Sequence, residues 1–77
     1  VNYINSGSLS IGTTTPNASS VLDITSTTKG ILLPRMTTTE INAISPLTEG
    51  LTAYNTTLNT MCFYNGTEWR QVSNTTM

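Results

Sequence analysis

The groups in this 77-residue chain that can move protons, bind metals or attack a substrate are few: carboxylates at Asp23, Glu40, Glu49 and Glu68, one thiol at Cys62, and no histidine. A metal-ligand cluster, a Ser/His or Cys/His pair and a dithiol redox site each need residue types that this sequence does not supply. Glycoside hydrolysis needs two acids at a fixed separation beside a sugar groove. The simpler reading of Glu68 and Arg70, two apart on one strand face, is an exposed ion pair that contributes little. Gly12-Thr13-Thr14 and Lys29-Gly30 lack the glycine spacing and the following helix of a phosphate loop. No catalytic, cofactor or metal site is expected. Tyr54, Tyr64 and Trp69 have faces that suit the apolar side of a sugar ring, but packing in a core or an interface uses the same property and is the preferred reading. Cys62, being alone, reads as a small buried hydrophobe. Asn-X-Ser/Thr triplets begin at Asn17, Asn55, Asn65 and Asn74, a density that a chain this rich in Asn, Ser and Thr produces by chance.

The element that must position these aromatics spans residues 51–72. Short runs of β-branched and aromatic residues are separated first by Asn55–Asn59 and then by Asn65-Gly66, and Asn-Gly between such runs is a hairpin signal. Three antiparallel strands follow. A two-residue turn at Asn65 and Gly66 sets Tyr64 against Thr67, Phe63 against Glu68 and Cys62 against Trp69. Alternation then gives Met61, Phe63, Glu68 and Arg70 one face and Cys62, Tyr64, Trp69 and Gln71 the other. With a five-residue loop over 55–59, Leu51 and Ala53 join the Phe63 face and Tyr54 joins the Trp69 face. Both faces are partly apolar, so Leu51, Tyr54, Met61, Phe63, Tyr64 and Trp69 are the candidates for core or interface. The preceding chain can cover one face, and a partner chain is the simplest cover for the other. On this register Trp69 is expected at a subunit contact.

Composition points the same way. Charged residues make up 9% of the chain, against roughly 25% in an ordinary soluble domain, and the apolar fraction of 36% is also low. A domain this small buries only about 60% of the surface its unfolded chain exposes, which makes a monomer marginal and oligomerisation the expected remedy. With a net charge of −1 and Lys29, Arg35 and Arg70 as the cations, there is no electrostatic footprint for nucleic acid or anionic membranes. No apolar run approaches the roughly 18 residues of a spanning helix, and no basic-then-apolar leader pattern occurs.

Upstream, alternation at Val1 and Tyr3 and then at Leu9 and Ile11 suggests an extended arm or linker over residues 1–20 with one short strand at about 8–13. Asn17–Ser20 reads as a turn, Val21–Thr25 as a second short strand, and Ile31-Leu32-Leu33, stopped by Pro34, as a buried strand. The helix candidate is Thr38–Ser45, with Thr37 or Thr38 as N-cap, Glu40 in the first turn and an Ile41/Ile44 stripe. Pro46 ends it and Gly50 redirects the chain. The expectation is a mainly β fold of short N-terminal strands, one short helix and a C-terminal three-stranded meander, with residues 21–77 as one small module.

The run Thr27-Thr28-Lys29-Gly30-Ile31-Leu32-Leu33-Pro34-Arg35-Met36-Thr37, then Tyr54-Asn55-Thr56 and Phe63-Tyr64-Asn65-Gly66-Thr67-Glu68-Trp69, resembles a segment of phage tail-fibre and related surface-fibre proteins. Ile11-Gly12-Thr13-Thr14-Thr15-Pro16 and Val21-Leu22-Asp23-Ile24 resemble the part that precedes it, so the resemblance covers about residues 9–72. It implies an intertwined homotrimeric structural module of a virion fibre, connecting or trimerising the fibre and supporting host attachment. Its implied partners are further fibre segments or virion proteins, with a host surface glycan as a further candidate. The rival readings are a carbohydrate-binding fibre tip and a segment of a bacterial cell-surface adhesin.

Overall fold

The computed structural model describes residues 7–77, so the alternation at Val1 and Tyr3 lies outside the described residues. These form two units, one ending at Gly30 and one spanning Ile31–Met77. The chain is mainly β with one short helix, as the pattern of short β-branched runs between Gly, Pro and Asn implies.

In the first unit, β1 (Leu9–Ile11) and β2 (Leu22–Ile24) pair in parallel, with Leu9 opposite Leu22 and Ile11 opposite Ile24. The chain leaves β1 through Gly12 at φ +85°, where an added Cβ would stand 2.0 Å from the Thr25 carbonyl oxygen. Glycine is thus required by contact as well as by backbone angle. The connection turns at Asn17, whose side-chain carbonyl accepts from Ser19 N–H and whose own N–H donates to Asp23 Oδ2 at 2.8 Å. Leu9, Ile11, Leu22 and Ile24 share one face because paired residues of a parallel ladder point the same way, and all four are exposed.

In the second unit the sheet order is β3-β4-β5-β6: β3 (Arg35–Met36) runs parallel to β4 (Thr52–Asn55), and β5 (Thr60–Tyr64) and β6 (Trp69–Gln71) complete the antiparallel meander. The apolar run Ile31-Leu32-Leu33 is not the strand expected there. Pro34 has no N–H to give a ladder, so pairing begins at its carbonyl, which accepts from Tyr54 N–H at 2.8 Å. Ile31 and Leu32 remain 64% and 73% exposed. The helix α1 covers Thr38–Asn42, shorter than the expected Thr38–Ser45, because Ala43 already caps it and the chain must leave helical geometry before Pro46. Thr37 is the N-cap of a full capping box: its hydroxyl accepts from Glu40 N–H and Glu40 Oε1 accepts from Thr37 N–H. This seats Ile41, fully buried, in a core with Ala53, Cys62 and Trp69. Burying a side chain such as Ile41 is worth about 1.5–3 kcal/mol.

Both hairpins differ from the expected register. Asn55 stays in the ladder opposite Thr60, so the first connection is Thr56–Asn59, one residue shorter than expected, and it closes with Asn59 at φ 57°. A slip of one residue exchanges faces. Leu51 and Ala53 therefore join Cys62 and Trp69, while Tyr54 lies opposite Met61 on the Phe63 side. The second connection is Asn65–Glu68 and not a two-residue turn, which pairs Tyr64 with Trp69 and Phe63 with Arg70. That slip is two residues, so the face assignments within β5 and β6 survive. The cause is common to both. Asn55 Oδ1 accepts from Thr57 and Leu58 N–H, and Asn65 Oδ1 accepts from Thr67 and Glu68 N–H, all at 2.8–2.9 Å. Each asparagine satisfies the loop with its side chain and lengthens it.

Candidate interaction surface

The six apolar candidates divide by this register. Leu51, Tyr64 and Trp69 lie on the face that α1 covers. Tyr64 and Trp69 meet edge to face at 5.7 Å and 62°, and Trp69 is 7% exposed. Trp69 is thereby enclosed by its own chain, where a subunit contact was expected. The physical reason is that Ile41, held by the capping box, covers this side of the sheet. Its indole Nε1 has no hydrogen-bond partner among the described residues.

Tyr54, Met61 and Phe63 occupy the opposite face, which no element of the described chain covers. Met61 is 41% exposed and Tyr54 and Phe63 are half-buried. The extended run before Pro34 borders this face. Ile31, Leu32 and Leu33 with Arg35, Tyr54 and Met61 line a cavity of about 270 Å³. Its wall is aliphatic and aromatic apart from the Arg35 side chain. An apolar surface of this kind, built from side chains consecutive in the chain and on the adjacent strand, suits burial against another protein surface.

Two features were missed in the sequence. Asn55, placed there in a loop, is fully buried. Its Nδ2 donates to Thr38 Oγ1 at 2.9 Å while Oδ1 holds the loop, so it ties β4 to the start of α1. The available signal was an Asn followed by Thr-Thr, an Asx-turn pattern. The second is the tail. Arg70 reaches Glu68 Oε2 and Thr76 Oγ1 through Nη1, Asn74 Oδ1 through Nε and the Asn74 carbonyl through Nη2. With the Arg70↔Thr76 bridge, this folds residues 72–77 back along β6, and Met77 packs at the edge of the core. The Glu68–Arg70 pair is therefore part of a network and not an isolated surface contact.

No acid pair is presented to a cleft. Glu40 belongs to the capping box, Glu68 to the Arg70 network and Asp23 to the Asn17 turn. Glu49 Oε1 lies over Gly66. Among the described residues no three His, Cys, Asp or Glu side chains converge as metal ligands, and no helix is long and apolar enough to cross a membrane. Burial pushes the Cys62 thiol above its ordinary pKa, partly offset by a hydrogen bond from the Asn55 side chain.

A family model described as phage tail like trimerisation region matches residues 10–77. No curated protein and no solved structure gives a significant match.

Proposed function

Since the chain belongs to the phage tail like trimerisation region family, whose description is structural and not catalytic, we propose that it joins three copies of a phage tail or tail-like fibre through the sheet face of Tyr54, Met61 and Phe63 together with Ile31 and Leu32. The observation that carries this reading is the asymmetry of the sheet. One face is closed by Ile41 of the same chain, whereas the other leaves Met61, Ile31 and Leu32 at 41%, 64% and 73% exposure. Self-association around a threefold axis removes that surface from water in every copy at once.

In this role the module holds the fibre's three chains in register, associates with neighbouring fibre segments, is located in the virion and supports host attachment mechanically. A sugar-binding tip is the weaker reading. The groove beside Tyr54 is walled by Ile31, Leu32 and Leu33, which offer a sugar no hydrogen-bonding groups, and Trp69 is inside the core.

The test is the mass of the 77-residue chain in solution by sedimentation or native mass spectrometry, with Met61→Asp as the variant. The expected result is a trimer for the unaltered chain and a monomer at micromolar concentration for Met61→Asp, since three desolvated carboxylates would meet at the contact. A folded monomer for the unaltered chain would end this reading. A Met61→Asp trimer would move the contact to another face.

A further inference from the structure

We infer that the β1–β2 pair is a second self-association surface, in which the Leu9, Ile11, Leu22 and Ile24 faces of three copies pack on one another and the unit up to Gly30 acquires its only apolar core. The inference rests on the trimeric reading above and adds a separate site to it.

The first observation is that no residue among 7–30 is buried. Leu9, Ile11, Leu22 and Ile24 are 37%, 53%, 50% and 39% exposed, all on one side of a two-stranded sheet of three-residue strands. Two strands with an uncovered apolar face are marginal in water, and this pair needs a cover. The opposite face is already supplied with polar partners. Asp23 accepts from Asn17 N–H, and the backbone ends of the ladder close through Leu9 N–H to the Val21 carbonyl and Thr25 N–H to the Ile11 carbonyl, each at 2.8 Å.

The second observation is that the face carries no charge. Asp23 points to the other side of β2 because it lies between Leu22 and Ile24, and Lys29 lies beyond the strands. In a closed ring of identical chains the same patch recurs at every contact, so a charged patch would meet its own sign. An aliphatic, uncharged face is compatible with copies of itself. The third observation is that the trimerisation family match includes residues 10–30 as well as the second unit. A second copy is therefore the occupant to which these observations commit. Glycine at position 12 preserves the pair's geometry, since any Cβ there would collide with the Thr25 carbonyl.

The experiment compares backbone hydrogen exchange at Leu9 and Thr25 with that at Tyr54 and Tyr64 in the 77-residue chain and in Leu22→Ser/Ile24→Ser. In the unaltered trimer all four amides are protected. In the double variant, exchange at Leu9 and Thr25 rises at least about tenfold while mass and the Tyr54 and Tyr64 amides stay as they were. A second variant, Ile11→Cys, provides a positive signal: mild oxidation of its trimer should give covalently linked pairs, and Cys62, being buried, does not compete. A trimer in which Leu22→Ser/Ile24→Ser keeps full protection, or in which Ile11→Cys does not cross-link, overturns this inference and leaves the Met61 contact intact. A monomeric unaltered chain overturns both.

Discussion

The unit ending at Gly30 and the unit Ile31–Met77 are built from the same short β-branched strands and the same Asn, Thr and Gly turns, yet only the second makes a core in its own chain. The difference is one element. In the second unit a capping box fixes α1 so that Ile41 closes one side of a four-stranded sheet over Ala53, Cys62 and Trp69. The first unit has two strands, no helix and no buried residue among those described. Strand propensity alone therefore produces a ladder, and a second layer is needed to turn the ladder into a protein fold. Each unit nonetheless keeps one apolar face bare, which is the expected state of a segment whose remaining cover comes from other copies.

The largest test of this contrast is Trp69→Ala. Trp69 is 93% enclosed by its own chain, the complement of its 7% exposure, so truncation should cost about 3–5 kcal/mol. Thermal melting followed by near-ultraviolet circular dichroism should show the loss in the second unit, before any change in sugar binding is relevant. Unaltered melting would show that the core does not depend on this indole and would dissolve the distinction between the two regions.

A smaller effect separates the glycines. Gly66 sits at φ +98° with only the flexible Glu49 side chain near its missing Cβ, so Gly66→Val stores backbone strain of about 1–3 kcal/mol in the second unit. Gly12→Ala acts differently, because the obstacle is the Thr25 backbone itself. It should abolish amide protection at Leu9 and Thr25 while Gly66→Val leaves those amides protected and lowers the melting temperature. The reverse assignment would mean that the two units draw on one another's stability.

What could be read from the sequence follows this same division. Strand positions, the helix cap at Thr37 and the two apolar faces of the 51–72 sheet were legible, because β-branched runs, Thr-x-x-Glu and alternation are local signals. Which residue faced which side was not. Asn55 and Asn65 each recruit two backbone N–H groups, and that makes both connections four residues long. Loop length decides register, and a one-residue error carried Tyr54 to the wrong face. The apolar run 31–33 was misread for a related reason. Apolarity marks what must be buried in the assembly, and it does not say whether a strand of the same chain or a neighbouring copy does the burying.

The smallest effect is alkaline and belongs to the second unit alone, since no titratable group is buried among residues 7–30. Burial raises the Cys62 pKa above its ordinary value, so the folded state holds the proton more tightly than the unfolded chain does. Below the ordinary thiol range both states are protonated and the contribution is fully present. As pH rises past about 8–9 the unfolded chain ionises first, and stability is lost progressively until the folded thiol ionises too. The slope cannot exceed about 1.4 kcal/mol per pH unit for one proton. Denaturant melts between pH 7 and 10 should therefore fall more steeply for the unaltered chain than for Cys62→Ala, whatever the absolute cost of that cavity. Parallel slopes would show that Cys62 does not keep its proton on folding, and the closed face of the sheet would then be wetter than its packing with Ile41 and Trp69 implies.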